Sequence, residues 1–554
     1  MTPFAEKTVN WLYLFIFLAV LLNFSGLWVT VIGPDGALYA SIAKNMVVNH
    51  NYMDLFVEGR DWLDKPHFPF WMAAFSFKLF GISGWAYKLP AVLFVMLGAW
   101  YCYRLARELY NREIALWSVL ILLTAQHLVL SNMDVRAEPY LTGLIIASVY
   151  HFYRALGKKW FWHLLAGAVF AACAVMTKGI FALIPVGGAI AGQLLMTRQW
   201  RLLFNLRWLV AAVLVFVFLL PELYSLYVQF DAHPQKLIFG RNHVSGLKFF
   251  FWDSQFGRFF NSGPIKKASG DPFFFVHTTL WAFLPWALLL FAGLFVFVKK
   301  HWRRVQSAEW FTLCGAGSTF LIFSLSKFQL PHYITIIFPF FAILTAVFIV
   351  EMKREKSIKI WNWIQSIVAV LMLLLIASLH WFFRPDLTAT SVILLLIGFA
   401  ILFITTWYYA AASRYKVLFQ CAAVALIVNL YFNTVYYPKL TSYQADSAAA
   451  FYINQHNPDK LPVVKMVNGY AYAIDLYTEQ PLHYYRLGEE QGLPPRPFLL
   501  YGDSDLLQAA AQSGLKGDTV QTFKRYHITR IKGKFLNHQT REETLESSQL
   551  ILIK

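Results

Sequence analysis

The sequence predicts an all-α polytopic membrane protein carrying a small soluble α/β domain at its C-terminal end. Three observations carry that expectation. Hydrophobic residues make up 58% of the 554 and charged residues only 14%, against about 25% charge in soluble domains, and mean hydropathy is +0.49. The apolar residues gather in runs, many near the roughly 20 residues that cross a bilayer. From residue 437 the composition turns ordinary: thirteen Lys and Arg face twelve Asp and Glu, so the net charge of +18 belongs almost entirely to residues 1–436.

Thr8 to Pro34 contains no charge. It is too long for a cleaved leader and no small-residue cleavage motif follows it, so it reads as the first span. Further apolar runs lie near 86–103, 114–131, 139–153, 160–177, 179–196, 208–228, 274–298, 309–326, 333–350, 361–382, 389–411 and 417–436, giving thirteen spans. The short loops support that count. Alternate loops hold Arg104/Arg107/Arg112, Arg154/Lys158/Lys159, Arg198/Arg201/Arg207, Lys299/Lys300/Arg303/Arg304, Lys353/Arg354/Lys356/Lys359 and Arg414/Lys416, nineteen in all; the loops between them hold only Arg136, Lys178, Lys327 and Arg384. Basic loops stay cytoplasmic, so the N-terminus is expected inside and the C-terminal domain outside. In a membrane protein this bias also accounts for the excess charge without nucleic acid.

Two long segments, 33–85 and 229–272, then fall on the outer face. In the tail, Val463–Val467, Pro497–Tyr501, Val520–Phe523 and Leu550–Ile553 read as strands, and 446–456 and 504–513 as helices. No repeat, phosphate-binding loop or dinucleotide fingerprint is present, so no ATPase is encoded within the chain. Cys102, Cys173, Cys314 and Cys421 sit in apolar runs, without zinc-ligand spacing or a disulfide framework.

Ionisable residues near membrane depth are costly and mark function more often than packing. Asp35 stands where the first span leaves the bilayer, beside Tyr39; it can act as a base or cap a helix over 36–48. Asp64-Lys65-Pro66 precedes an apolar stretch, 68–81, suited to lying in the interface; the pair can bind an anion or neutralise itself in solvent. Asp134-Val135-Arg136-Ala137-Glu138 puts three charges in five residues, which can also form a self-neutralised cluster. Lys178-Gly179 interrupts two apolar runs on the same face, and Lys327 precedes a Leu330-Pro331 turn and Tyr333. The loop 229–272 is rich in basic residues, among them Arg258, Lys266 and Lys267. Acids and bases converging on one face suit a lipid-linked anionic donor, which asks for Lys or Arg at headgroup level, and a hydroxyl acceptor, which asks for a carboxylate.

These motifs, in this order, resemble the GT-C glycosyltransferases of the protein-mannosyltransferase-like kind, and within them the bacterial aminoarabinose lipid A transferases. The carriers are the first-loop Asp35, the helical Tyr39-x-x-Ile42-Ala43-x-x-Met46, Lys65-Pro66 before an aromatic helix, and Leu79-Phe80-Gly81-x-x-x-Trp85-Ala86. The resemblance implies a GT-C fold, a polyprenyl-phosphate sugar donor, a glycolipid or glycan acceptor such as lipid A, and inversion at the anomeric carbon. By position it makes Asp35 the base or acceptor-binding group and Glu138 the second acidic site. Lys65, Arg258, Lys327 and Tyr333 would contact the donor phosphate, with Asp64, Asp134, Arg136 and Tyr39 in support. A divalent metal is an open alternative, because the same carboxylates could bind one or pair with bases. Asp35-Gly36 replaces the Asp-Glu of protein mannosyltransferases, which counts against a protein acceptor; Gln255 stands where the lipid A transferases carry His. A flippase or transporter of lipid-linked intermediates, a protein O-glycosyltransferase and a glycan-binding scaffold are the other readings. A transporter would need charges spread through the bilayer depth, often with an inverted repeat.

Overall fold

The computed structural model describes residues 3–265, 270–303, 305–407, 414–467, 470–489 and 493–554. Lys266, Lys267, Arg304 and the end of the 389–411 run lie outside the described residues.

Each apolar run falls on a helix or a pair of helices. Among the described residues, eight helices are long and apolar enough to cross a membrane, or nine if Arg112–Thr124 and Gln126–Met133, bent by 53°, form one span. The other runs fall on shorter or more polar helices such as Phe311–Leu325 and Glu138–Ala155. Close backbone approach holds the centre together. A Cβ on Gly143 would sit 2.1 Å from the Phe94 carbonyl oxygen, so only glycine lets Glu138–Ala155 lie against Gly84–Leu109. Glu138 stands in the first turn of the same helix.

The first long segment between apolar runs, 33–85, is itself structured. Asp35–Val48 is a helix, followed by a short hairpin of β1 (Phe56–Val57) and β2 (Arg60–Asp61) and the apolar helix Phe68–Phe80. Proline in the first turn of Phe68–Phe80 removes an amide that would have no partner there. The turn before it is pinned from the membrane module: the His67 amide donates to Glu222 Oε2 at 3.0 Å, and the His67 ring meets Glu222 Oε1 at 3.0 Å and the Met53 carbonyl at 2.9 Å.

The last membrane-module helix, Lys416–Tyr431, continues through the expected boundary at 436/437 as far as Thr441. Beyond it a five-stranded sheet runs in the order β4-β3-β5-β7-β6, from β3 (Val463–Met466), β4 (Leu482–Tyr485), β5 (Phe498–Asp503), β6 (Asp518–Arg525) and β7 (Glu546–Ile553). β3 is parallel to β4 and β5, and β7 is antiparallel to β5 and β6. The four expected strands and both expected helices are present (Ala445–His456 and Ser504–Gln512), while β4 and the helix Ala473–Tyr477 went unread.

The C-terminal domain is bolted to the 33–85 segment. Lys465 Nζ pairs with Glu58 Oε1 at 2.7 Å and Asp475 Oδ2 at 2.5 Å, and all three are buried. Lys44 Nζ donates to the carbonyls of Asp475 and Thr478 at 2.8 and 2.5 Å, near the end of Ala473–Tyr477. Gln444 bridges the chain just ahead of Asp35: its Nε2 donates to the Val31 carbonyl at 3.0 Å and its Oε1 accepts from the Gly33 amide at 2.8 Å.

Candidate active site

Asp35, Tyr39, Asp64, Lys65, Arg136, Glu138, Arg258 and Tyr333 line one cavity of 570 Å³, together with Lys178 and His332. These residues come from six separate stretches of chain, so only the fold assembles them.

Asp35 opens the helix Asp35–Val48, and its side chain makes no cap there; Pro34 holds the capping position. This corrects the capping alternative. The carboxylate turns instead to Arg136, whose Nη1 donates to Oδ2 at 2.6 Å. The same guanidinium is held from behind by Asp134, with Nε and Nη2 at 3.2 and 3.1 Å from Asp134 Oδ2. The 134–138 stretch is therefore not self-neutralised, because one arginine is shared between Asp134 and Asp35. Asp134 does not reach the cavity and acts through Arg136. The Asp35 side chain remains 42% exposed, the most open of the cavity carboxylates.

Asp64 and Lys65 pair at 2.6 Å, but only about a fifth of each side chain is exposed, so the solvated-pair alternative fails. Arg258 Nη2 binds the other oxygen of Asp64. Burial raises the Asp64 carboxyl, and the Lys65 ammonium and Arg258 guanidinium outweigh it, bringing it down to about 2. Burial and the Arg258 charge lower Lys65 below the ordinary lysine value. The Arg258 Nε is buried without a hydrogen-bond partner among the described residues, although buried polar groups nearly always have one. An anion entering the cavity can supply it.

Glu138 is almost fully buried and binds Lys178. Lys178 Nζ also sits 3.6 Å from the centre of the Tyr333 ring, and His332 Nε2 lies 3.8 Å from Glu138. Lys178 was singled out in the sequence as an interruption but not counted among the site residues. Its signal was available: a lysine ending an apolar run is too costly to keep without a partner. Gln255 holds it in place, with Nε2 on the Lys178 carbonyl at 3.1 Å and Oε1 accepting from the Phe181 amide at 3.3 Å. The turn can hug this amide because Gly179, at φ +92°, has no Cβ; one there would sit 2.1 Å from Gln255 Nε2. Gln255 is thus a bracket for Lys178.

Lys327 is a correction. It is exposed, lines neither this cavity nor the next, and its backbone amide is spent on the Phe259 carbonyl at 3.0 Å. The Leu330-Pro331 turn delivers Tyr333 to the cavity and leaves Lys327 outside it.

A second cavity of 600 Å³ adjoins the first and shares Lys178, Arg258, Phe328 and Tyr333 with it. Its remaining wall is mostly apolar, including Leu141, Phe181, Phe259, Phe323 and Ile336. One side of the cation cluster is therefore polar and open to Asp35, and the other is greasy.

Among the described residues, no three His, Cys, Asp or Glu side chains gather closely enough to hold a metal ion. Each cavity carboxylate pairs with a cation: Asp35 with Arg136, Asp64 with Lys65 and Arg258, and Glu138 with Lys178.

The chain has the fold of the GT-C membrane glycosyltransferases. Residues 64–224 match the family described as dolichyl-phosphate-mannose-protein mannosyltransferase. Within that fold the chain is similar to ArnT from Cupriavidus metallidurans, solved bound to undecaprenyl phosphate, with a TM-score of 0.74 at 18% identity over 98% of each chain. It is 29% identical over 325 residues to the undecaprenyl phosphate-alpha-4-amino-4-deoxy-L-arabinose arabinosyl transferase of Erwinia tasmaniensis, and 27% identical over 380 residues to an uncharacterized protein of Aquifex aeolicus. The first alignment covers 56% of this chain and 54% of the relative, the second 68% and 70%.

Proposed function

We propose that the chain transfers a sugar from a polyprenyl-phosphate carrier to a hydroxyl of an envelope glycolipid or glycan, lipid A being the leading candidate, with inversion. The observation that carries this reading is the junction of the two cavities. Lys178, Arg258 and Tyr333 stand where an apolar chamber meets a charged one, which is where a phosphate joined to a polyprenyl chain would rest. Two neighbours support it by name: ArnT is solved with undecaprenyl phosphate, and the Erwinia relative is a transferase named for that carrier.

The reading assigns each group a step. The carrier phosphate sits on Lys65, Arg258 and Lys178, and Arg258 Nε gains its acceptor. Asp35 accepts the proton of the acceptor hydroxyl as its oxygen bonds to the anomeric carbon. The bond from that carbon to the phosphate oxygen breaks, and the cations stabilise the charge that grows on the leaving phosphate. Arg136 holds Asp35 toward the open side. Glu138 orients Lys178 and balances its charge.

The same reading keeps thirteen crossings, a cytoplasmic N-terminus, a membrane module over 1–436 and a periplasmic domain over 437–554. A reporter active only in the periplasm should work when fused at Lys554 and fail when fused near Lys356. For the activity, purified protein is given a labelled polyprenyl-phosphate sugar and a panel of lipid A, glycan and peptide acceptors. Transfer to a glycolipid or glycan supports the reading. Transfer to peptide alone, or donor movement across vesicles without transfer, overturns it.

A further inference from the structure

A third cavity lies far from the site and has no part in the reaction above. It is an open groove between the helices Ala287–His301, Phe338–Glu351 and Glu355–Phe383, of the size that takes small molecules and lipid chains. Tyr333 and Glu351 lie at opposite ends of one helical run, 18 residues apart, so roughly 27 Å separates the two places.

Each helix gives the groove one face. Gly293, Phe297, Lys300 and His301 follow helical spacing on the first, and Leu344, Val347, Phe348 and Glu351 on the second; Trp361 lines it from the third. At its inner end the first two helices close up, since a Cβ on Gly293 would meet Phe348 Cβ at 3.0 Å. Toward its mouth the walls become basic. Lys300 pairs with Glu351 at 2.6 Å. Lys353 and Arg354 are exposed at the rim and make no side-chain hydrogen bond or ion pair among the described residues. Two uncompensated cations therefore crown an apolar slot at a helix end of the membrane module, beside further basic loop residues.

We propose that this groove holds an anionic glycerophospholipid of the surrounding bilayer, with an acyl chain along Phe297, Val347, Phe348 and Trp361 and the phosphate on Lys353 and Arg354. The charge complementarity selects the headgroup, and the depth of the slot selects a chain-bearing ligand over a free phosphate. A zwitterionic lipid fits the walls equally well but brings a cation of its own against Lys353 and Arg354.

The test uses the full chain, delipidated in detergent and titrated with phosphatidylglycerol or phosphatidylcholine while bound lipid is counted by native mass spectrometry. Phosphatidylglycerol should bind about 30-fold tighter than phosphatidylcholine. The double variant Lys353→Ala/Arg354→Ala should lose that preference, about 2 kcal/mol at roughly 1.4 kcal/mol per decade. Lys353→Arg/Arg354→Lys should retain most of it, which separates charge from misfolding. Equal binding of the two lipids, or an undiminished preference in the double alanine variant, would overturn the proposal. So would undecaprenyl phosphate displacing phosphatidylglycerol at substoichiometric levels, because the groove would then belong to the donor. Inorganic phosphate should not compete at millimolar concentration; competition there would reduce the site to a headgroup patch and likewise overturn it.

Discussion

Asp35 and Asp64 line the same cavity and are held in opposite ways. Asp35 meets one guanidinium through one oxygen, and that guanidinium is shared with Asp134. Asp64 is gripped through both oxygens by Lys65 and Arg258 and held near 2. A carboxylate bound on both sides can organise cations but has no free oxygen with which to take a proton. A carboxylate aimed by a single arginine and left 42% exposed can receive a hydroxyl. Under the proposed function this contrast makes Asp35 the base and Asp64 an organiser of cations, although both are acids in the same segment, 33–85.

The largest expected effect breaks the open side. Asp35→Asn keeps the shape and removes the base, so turnover should fall about 10²- to 10⁴-fold. Donor binding, followed by retention of labelled carrier on the purified protein, should change little. On the closed side, Lys65→Ala removes one charge-assisted contact of about 1.5–3 kcal/mol, so donor use should weaken roughly 10- to 150-fold. Lys327→Ala, by contrast, should leave initial rates against donor concentration unchanged, since that side chain lies outside both cavities.

Much of this arrangement is visible in the sequence, and the exceptions share a cause. Apolar run length and the alternation of basic loops locate the helices, because bilayer thickness and charge sorting act on local stretches of chain. The cost of charge near membrane depth picks out Asp35, Lys65 and Glu138, and the family resemblance adds Tyr333. The pairing of those charges is not local. Whether Asp35 capped its helix depended on Arg136, 101 residues away, and whether Asp64 stood in solvent depended on Arg258, 194 residues away. Lys327 looked equivalent to Lys178 because both are lone lysines in outer loops; only the turn that carries Tyr333 inward separates them. The strand β4 is hidden because Leu482-His483-Tyr484-Tyr485 lacks the paired β-branched valines that mark Val463–Met466, a strand of the same length.

Smaller effects sharpen the comparison by asking what aims Asp35. Gln444 fixes the backbone on both sides of Ile32 through two hydrogen bonds from the C-terminal domain. At about 0.5–1.5 kcal/mol each, their loss in Gln444→Ala should cost roughly 5- to 150-fold in kcat with the donor KM unchanged. An effect on donor KM alone would mean that the domain serves the closed side.

The least of the effects concerns stability. Asp446 is buried in the C-terminal domain, and that burial raises its carboxyl to about 6 despite the Ala473 amide donating to it at 2.9 Å. A folded value above the unfolded one, about 3.9, means the native state holds the proton more tightly. Its contribution is then full below about pH 4 and lost as pH rises through about 6. Thermal unfolding of the purified chain should therefore occur at a higher temperature at pH 5 than at pH 7, and Asp446→Asn should flatten that difference. Asp64 has the opposite sign: its contribution is full above about 3.9 and falls away only toward pH 2, so it should add no slope between pH 5 and 7.

The division of labour between the two carboxylates' surroundings is tested most directly by one paired experiment: initial transfer rates against donor concentration, at saturating acceptor, for Asp35→Asn and Lys65→Ala in parallel. An open base and a closed phosphate cradle require different failures. Asp35→Asn should lose kcat by at least 100-fold with the half-saturating donor concentration near that of the unsubstituted protein, and Lys65→Ala should raise that concentration at least 10-fold. Near-normal turnover by Asp35→Asn, or the same kinetic pattern in both variants, would contradict the assignment.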